Sequence, residues 1–161
     1  MLKPGKKKNN QREKSLLTKI KNFHQLNDHI TTSGQPSEAQ LEAISRAGYE
    51  TVINLALHDN PEYSLPDERG TVEGLGMRYI HIPVQFDHPT LEDLEKFLNA
   101  MRENGQRKVF IHCAMNYRVS VFIGLYLRKM KKLPHADAFA LMNKVWKPNE
   151  VWAKFIAEAL K

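Results

Sequence analysis

Apolar and polar positions alternate between two rhythms from about residue 28 to the end of the chain. "ETVINLAL" (50–57), "MRYIHIPV" (77–84) and "QRKVFIHC" (106–113) are short runs rich in β-branched and apolar side chains. Their length and flanking turn residues predict strands, the first of the fully buried kind. "NDHITTSGQPS" reads as a shorter extended piece that ends in a turn at Gly34 and Pro36. Between the strands the period lengthens. Ser37 caps "EAQLEAISRAG", where Leu41 and Ile44 recur at helical spacing before Gly48. "DERGTVEGLG" predicts a second helix, and Thr90 caps "LEDLEKFLNAMRENG", in which Leu91, Leu94, Phe97, Leu98 and Met101 share one face. A long helix is expected from near Arg118 to about Lys132, then "PHADAFALMNKVW" and "NEVWAKFIAEALK", parted at Pro148. Strands alternating with helices of this length predict an α/β fold, a parallel sheet covered by helices. A chain of 161 residues suits one such domain.

Charge changes the picture only at the amino terminus. The net charge is +6, yet residues 1–21 hold eight Lys and Arg against one Glu, so the remaining chain carries sixteen basic and seventeen acidic side chains. Residues 1–24 are therefore read as a basic, flexible arm and residues 25–161 as the domain. Within the arm, "SLLTKIKNF" is expected to pack on the body. With the excess confined to a tail, nucleic acid is not an expected partner. No membrane association is expected either, because the apolar run Val119–Leu127 is too short to span a bilayer. One cysteine excludes an internal disulfide and a CxxC zinc site and fits a reducing compartment. No secretory pattern opens the chain, so a cytoplasmic location is expected.

That cysteine, Cys113, ends a predicted strand, and Arg118 follows it at the start of a predicted helix. Two readings are open. Free cysteines are commonly buried filler. Alternatively, the loop Ala114–Tyr117 gathers backbone N–H groups at a helix N-terminus, where an anion is favoured and a thiol ionises more readily. Arg118 then adds a planar fork of donors. Ligands in open parallel sheets bind beyond the carboxyl ends of strands. Cys113 and Asp87 both lie there, so the two are expected to face one crevice.

"VFIHC....R.S" resembles the phosphate-binding loop of the cysteine-dependent protein tyrosine and dual-specificity phosphatases. "ETVINL" and "YIHIPVQFD" resemble the upstream half of that domain, and "TTSGQPSEAQLEAISRAGYETVINL" resembles a bacterial branch of the superfamily. The resemblance spans roughly residues 28–130. It implies a central, mostly parallel sheet of four or five strands flanked by helices, and a substrate that is a phosphorylated protein or small phosphate ester. It also implies Cys113 as nucleophile, Arg118 and the N–H groups of Ala114, Met115, Asn116, Tyr117 and Arg118 as the oxyanion cradle, and Asp87 as general acid. Ser120 would face the thiolate and His112 would support the loop. No metal or other cofactor is required.

The sequence departs from that family at one place. Four residues separate Cys113 from Arg118 where the usual pattern has five, while Ser120 keeps its distance and Asn116 stands in the place of a glycine. Either the loop is one residue shorter and Arg118 still reaches the anion, or the loop keeps its length and Val119 replaces the arginine. The bacterial branch favours the former. Asp59 competes with Asp87 as the acid, since it too follows a strand. A phosphate-binding module with little turnover, and a rhodanese-like sulfurtransferase, are the alternatives to a phosphatase.

Overall fold

Among the described residues, five strands and eight helices follow one another in an order set by the two hydrophobic rhythms. The computed structural model describes residues 4–161, with side chains from Gln11 onward. The elements are α1 (Pro4–Thr18), β1 (His24–Gln25), β2 (Ile30–Ser33), α2 (Glu38–Arg46), β3 (Thr51–Asn54), α3 (Glu68–Gly74) and β4 (Arg78–His81). The chain continues through α4 (Leu91–Asn104), β5 (Val109–His112), α5 (Tyr117–Lys129), α6 (His135–Ala138), α7 (Ala140–Val145) and α8 (Glu150–Ala159). The strands form one sheet in the order β1-β2-β5-β3-β4, parallel except for β1, which runs antiparallel to β2. The expected α/β architecture, with a mostly parallel five-stranded sheet flanked by helices, is therefore the fold observed.

Both faces of the sheet are covered, which is why its strands read as nearly continuous apolar runs. On one face Ile53, Val109 and Ile111 join Phe97, Phe122, Leu125, Trp152 and Phe155 from α4, α5 and α8. On the other, Val52, Phe110 and Tyr79 pack with Leu41, Ile44 and Val72 from α2 and α3. Each such side chain, fully buried, contributes about 1.5–3 kcal/mol relative to exposure. Ser37 with Gln40 and Thr90 with Asp93 form reciprocal capping boxes that start α2 and α4 where expected.

Three segments differ from the sequence expectation. Much of the stretch expected as a flexible arm, residues 1–24, is helical, because Leu17 and Ile20 bury in the second cluster and Glu13 pairs with Arg46 at 2.9 Å. The arm's first three residues lie outside the described ones. "PHADAFALMNKVW" splits into α6 and α7 around Phe139, whose ring seats against Gly124 so closely that a Cβ there would lie 2.4 Å from it. β1 was not expected at all.

Register fixes where chemistry can occur. Ser33 of β2 and Asn54 of β3 flank His112 of β5, and Asn54 in turn pairs with His81 of β4. The carboxyl ends of four strands thus lie in one row. Cys113 is the next residue beyond the central one.

Candidate active site

Cys113 is wholly buried, yet it helps line a cleft of about 230 Å³ together with Tyr63, Phe86, Ala114, Met115, Tyr117 and Arg118. Between the cysteine and α5 the backbone turns within three residues. Asn116 makes this turn with φ 67°, a left-handed conformation that asparagine tolerates better than most residues.

The loop's carbonyls are held away from its centre. Ala114 O accepts from the Gln35 N–H at 3.0 Å, and Met115 O accepts from Asn22 Nδ2 at 2.8 Å. Asn116 answers the second contact by donating its own Nδ2 to Asn22 O at 2.8 Å and to Thr32 Oγ1 at 3.0 Å. Gly34 backs the loop closely, because a Cβ at this position would lie 2.5 Å from Ala114 O. Among the described residues, the N–H groups of Ala114, Met115, Tyr117, Arg118 and Val119 have no hydrogen-bond acceptor. They are the orphan donors of a loop and a first helical turn, and together they favour an anion.

Arg118 reaches this cleft despite the short spacing. Its Nη1 donates to Val84 O at 2.8 Å, its Nε is buried without an acceptor, and the guanidinium lies 5.9 Å from the Phe86 ring. Val119, the alternative occupant of that role, is fully buried in the apolar core. The single guanidinium also ties the loop to the turn that carries Asp87. Trp152 Nε1 pins the same turn by donating to Phe86 O at 2.7 Å. Asp87 itself is exposed beside Phe86. Asp59 instead lines a separate cavity of about 370 Å³ with His58, Ser64 and Leu65.

Ser120, expected to face the thiolate, donates to Tyr117 O at 2.8 Å and accepts from Trp146 Nε1 at 3.0 Å. Trp146 stacks on Tyr117 with ring centroids 4.7 Å apart, so this serine braces the helix start and the cleft wall. His112 is buried behind the loop, its Nδ1 standing 3.2 Å from Cys113 O. Its other nitrogen meets a residue that sequence reasoning missed: Nε2 lies 2.9 Å from Oε2 of Glu68, and both side chains are buried. Burial alone would push the Glu68 carboxyl up. The His112 charge, with hydrogen bonds from His112, Gln35 and Tyr79, instead holds it at about 2. Asn22, Gly34, Gln35 and Tyr63 were also unassigned by sequence; "SGQPS" was noted only as a resemblance. No group of three His, Cys, Asp or Glu among the described residues is placed to hold a metal ion.

Comparison with known proteins agrees with this fold. Residues 11–150 match the family model described as "DSP-PTPase phosphatase fused to NAD+ Kinase". A candidate phosphatase (DUF442) from Shewanella putrefaciens CN-32 superposes with a TM-score of 0.80 at 32% identity, covering 90% of this chain and 95% of that one. Tk-PTP in its active form gives a TM-score of 0.69 at 24% identity over 86% of this chain and 93% of that one. TpbA of P. aeruginosa gives 0.67 at 16% identity, over 85% and 84% respectively. At those lower identities the likeness is one of fold. The Beta-lactamase hydrolase-like protein of Agrobacterium fabrum is 33% identical over 91 residues, 55% of this chain, which spans about a fifth (21%) of that relative's length. No helix among the described residues is long and apolar enough to cross a membrane.

Proposed function

The chain belongs to the phosphatase family described as "DSP-PTPase phosphatase fused to NAD+ Kinase", and from that premise we propose that it hydrolyses phosphate monoesters through a cysteinyl-phosphate on Cys113. One observation carries the reading: five N–H groups without acceptors and the free Nε of Arg118 belong to residues 114–119, around the cleft that Cys113 lines. Such a cradle suits the equatorial oxygens of a phosphoryl group in transfer. The Cys113 thiolate attacks phosphorus, and an S–P bond forms as the ester P–O bond breaks. Asp87 gives its proton to the departing oxygen. Its carboxylate then takes a proton from water, whose oxygen attacks phosphorus and releases inorganic phosphate and the thiolate. Asp87 is favoured over Asp59 because its neighbour Phe86 lines the Cys113 cleft, whereas Asp59 lines another.

Aryl phosphates are the expected substrate class. Tyr63, Phe86 and Tyr117 wall the cleft, and an aromatic leaving group can lie against such faces. TpbA, a fold relative, has been solved in complex with pTyr. The purified protein should hydrolyse an aryl phosphate, Cys113→Ser should abolish turnover, and Arg118→Ala should lower kcat by about 10²–10³-fold. Activity that survives Cys113→Ser would overturn the reading.

A further inference from the structure

The aromatic side of the Cys113 cleft is built in two layers. Phe86 and Tyr117 line the cleft, with ring centroids 6.4 Å apart. Trp146 is not among the lining residues, yet it packs on both. Its ring stacks on Tyr117 at 4.7 Å with the planes 5° from parallel, and it lies 5.7 Å from Phe86. Trp152 closes the back of the same cluster, 6.0 Å from Phe86 and 6.2 Å from Trp146.

The indole is itself locked in place. Its Nε1 donates to Ser120 Oγ at 3.0 Å, and that hydroxyl gives its one proton to Tyr117 O at 2.8 Å. Trp146 therefore holds Tyr117 at two points, directly at the ring and through Ser120 at the backbone. Both rings are half-buried, so the core alone does not fix either of them. A nearly parallel stack does what apolar bulk cannot: it sets the plane of the Tyr117 ring as well as filling the space behind it. The opposite wall is different. Tyr63 stands on the connection between β3 and α3, and the Lys21 ammonium lies 5.6 Å from its ring centroid.

We infer that Trp146 is a positioning residue that sets the cleft's preference for aryl over alkyl phosphates, by holding the Tyr117 ring as a preformed surface for the substrate ring. It acts through Tyr117 and does not touch the substrate. A wall already fixed loses little side-chain freedom when a ring docks on it, whereas an unbacked tyrosine has to be ordered at the moment of binding. An alkyl phosphate makes no use of that surface, so its binding depends on the loop's N–H groups and Arg118 alone.

The inference rests on the proposed reading of the cleft as an aryl phosphate site, yet it is testable without turnover. Phenylphosphonate and methylphosphonate are probes that no phosphatase hydrolyses and that differ in the ring. Trp146→Leu keeps apolar bulk behind Tyr117 but offers no flat face. Calorimetry should show its phenyl-over-methyl affinity ratio lowered by about three- to tenfold, with methylphosphonate affinity kept within about twofold. Trp146→Phe returns a flat face and should recover most of the ratio. In turnover, Trp146→Leu should raise KM for phenyl phosphate by the same factor and leave kcat in place. An unchanged ratio in Trp146→Leu overturns the inference, as does equal weakening of both probes, which a purely structural role would give. NMR of the unaltered protein needs no variant: the Trp146 indole N–H signal should move further with phenylphosphonate than with methylphosphonate, and equal movement overturns it too. Outcomes for the two readings separate. A ratio that falls as expected in a protein that hydrolyses no aryl phosphate would sink the proposed hydrolysis alone. Turnover that depends on Cys113, with an unchanged ratio in Trp146→Leu, would sink this inference alone, and binding of neither probe would sink both.

Discussion

The short spacing between Cys113 and Arg118 is resolved at the level of two side chains. Asn116 takes the left-handed turn with φ 67°, so α5 begins at Tyr117 and Arg118 lies in its first turn. Advancing one residue rotates a helical position by about 100°. Val119 is accordingly in the core and Arg118 lines the cleft, where one nitrogen anchors to Val84 O and Nε has no acceptor. That anchor brings the turn bearing Asp87 toward the loop, and it makes the general-acid assignment testable. Protonating the leaving oxygen matters most when that oxygen leaves poorly. Asp87→Ala should lower the rate on an alkyl phosphate by about 10²–10⁴-fold and lower it less on an aryl phosphate with an acidic phenol. Equal losses on both substrates, or the same leaving-group dependence from Asp59→Ala instead, would reassign the acid.

At the scale of elements, the loop is held from outside by the segment between α1 and α2. Asn22 exchanges side-chain and backbone hydrogen bonds with Met115 and Asn116, and Gly34 sits where any Cβ would meet Ala114 O. Gly34→Ala must push the loop carbonyl out of its place. We expect a loss of about 1–3 kcal/mol in stability by urea denaturation, together with weaker binding of vanadate by calorimetry. Unchanged vanadate affinity would mean that the backing segment does not set the cradle. The sheet and most helices were legible because their signals are local: β-branched runs, capping residues and a period of three to four. The backing was not. Asn22 and Met115 are 93 residues apart, and Glu68 lies 44 residues from His112, so no short window contains either pair. Glu68 is further disguised, since an acid in the first turn of a helix after an Asp67 cap has a sufficient local reason to be there. Phe139 broke a helix that its own sequence supports because Gly124 of α5 offered its ring a seat. The basic composition before residue 15 likewise concealed a helix whose anchors, Leu17 and Ile20, come only at its end.

For the whole molecule, the buried pair links the site to the stability of the fold. Glu68 bridges α3 to the central strand through His112 and to the β2–α2 connection through Gln35. Its folded-state pKa, about 2, lies below the ordinary 4.5, so the unfolded chain binds a proton there that the native state does not. The resulting stabilisation is fully present above about pH 4.5 and is lost as pH falls toward 2, with a total of about 3 kcal/mol. The double variant Glu68→Gln/His112→Gln has no titrating group in the pair. Between about pH 5 and pH 2, the unaltered protein should therefore lose about 3 kcal/mol more than the double variant in urea-unfolding free energy. Parallel curves would show that the native carboxyl titrates normally. Because the same two side chains tie α3 to β5 directly behind Cys113, protonating Glu68 should loosen the support of the loop and the fold over one range of pH.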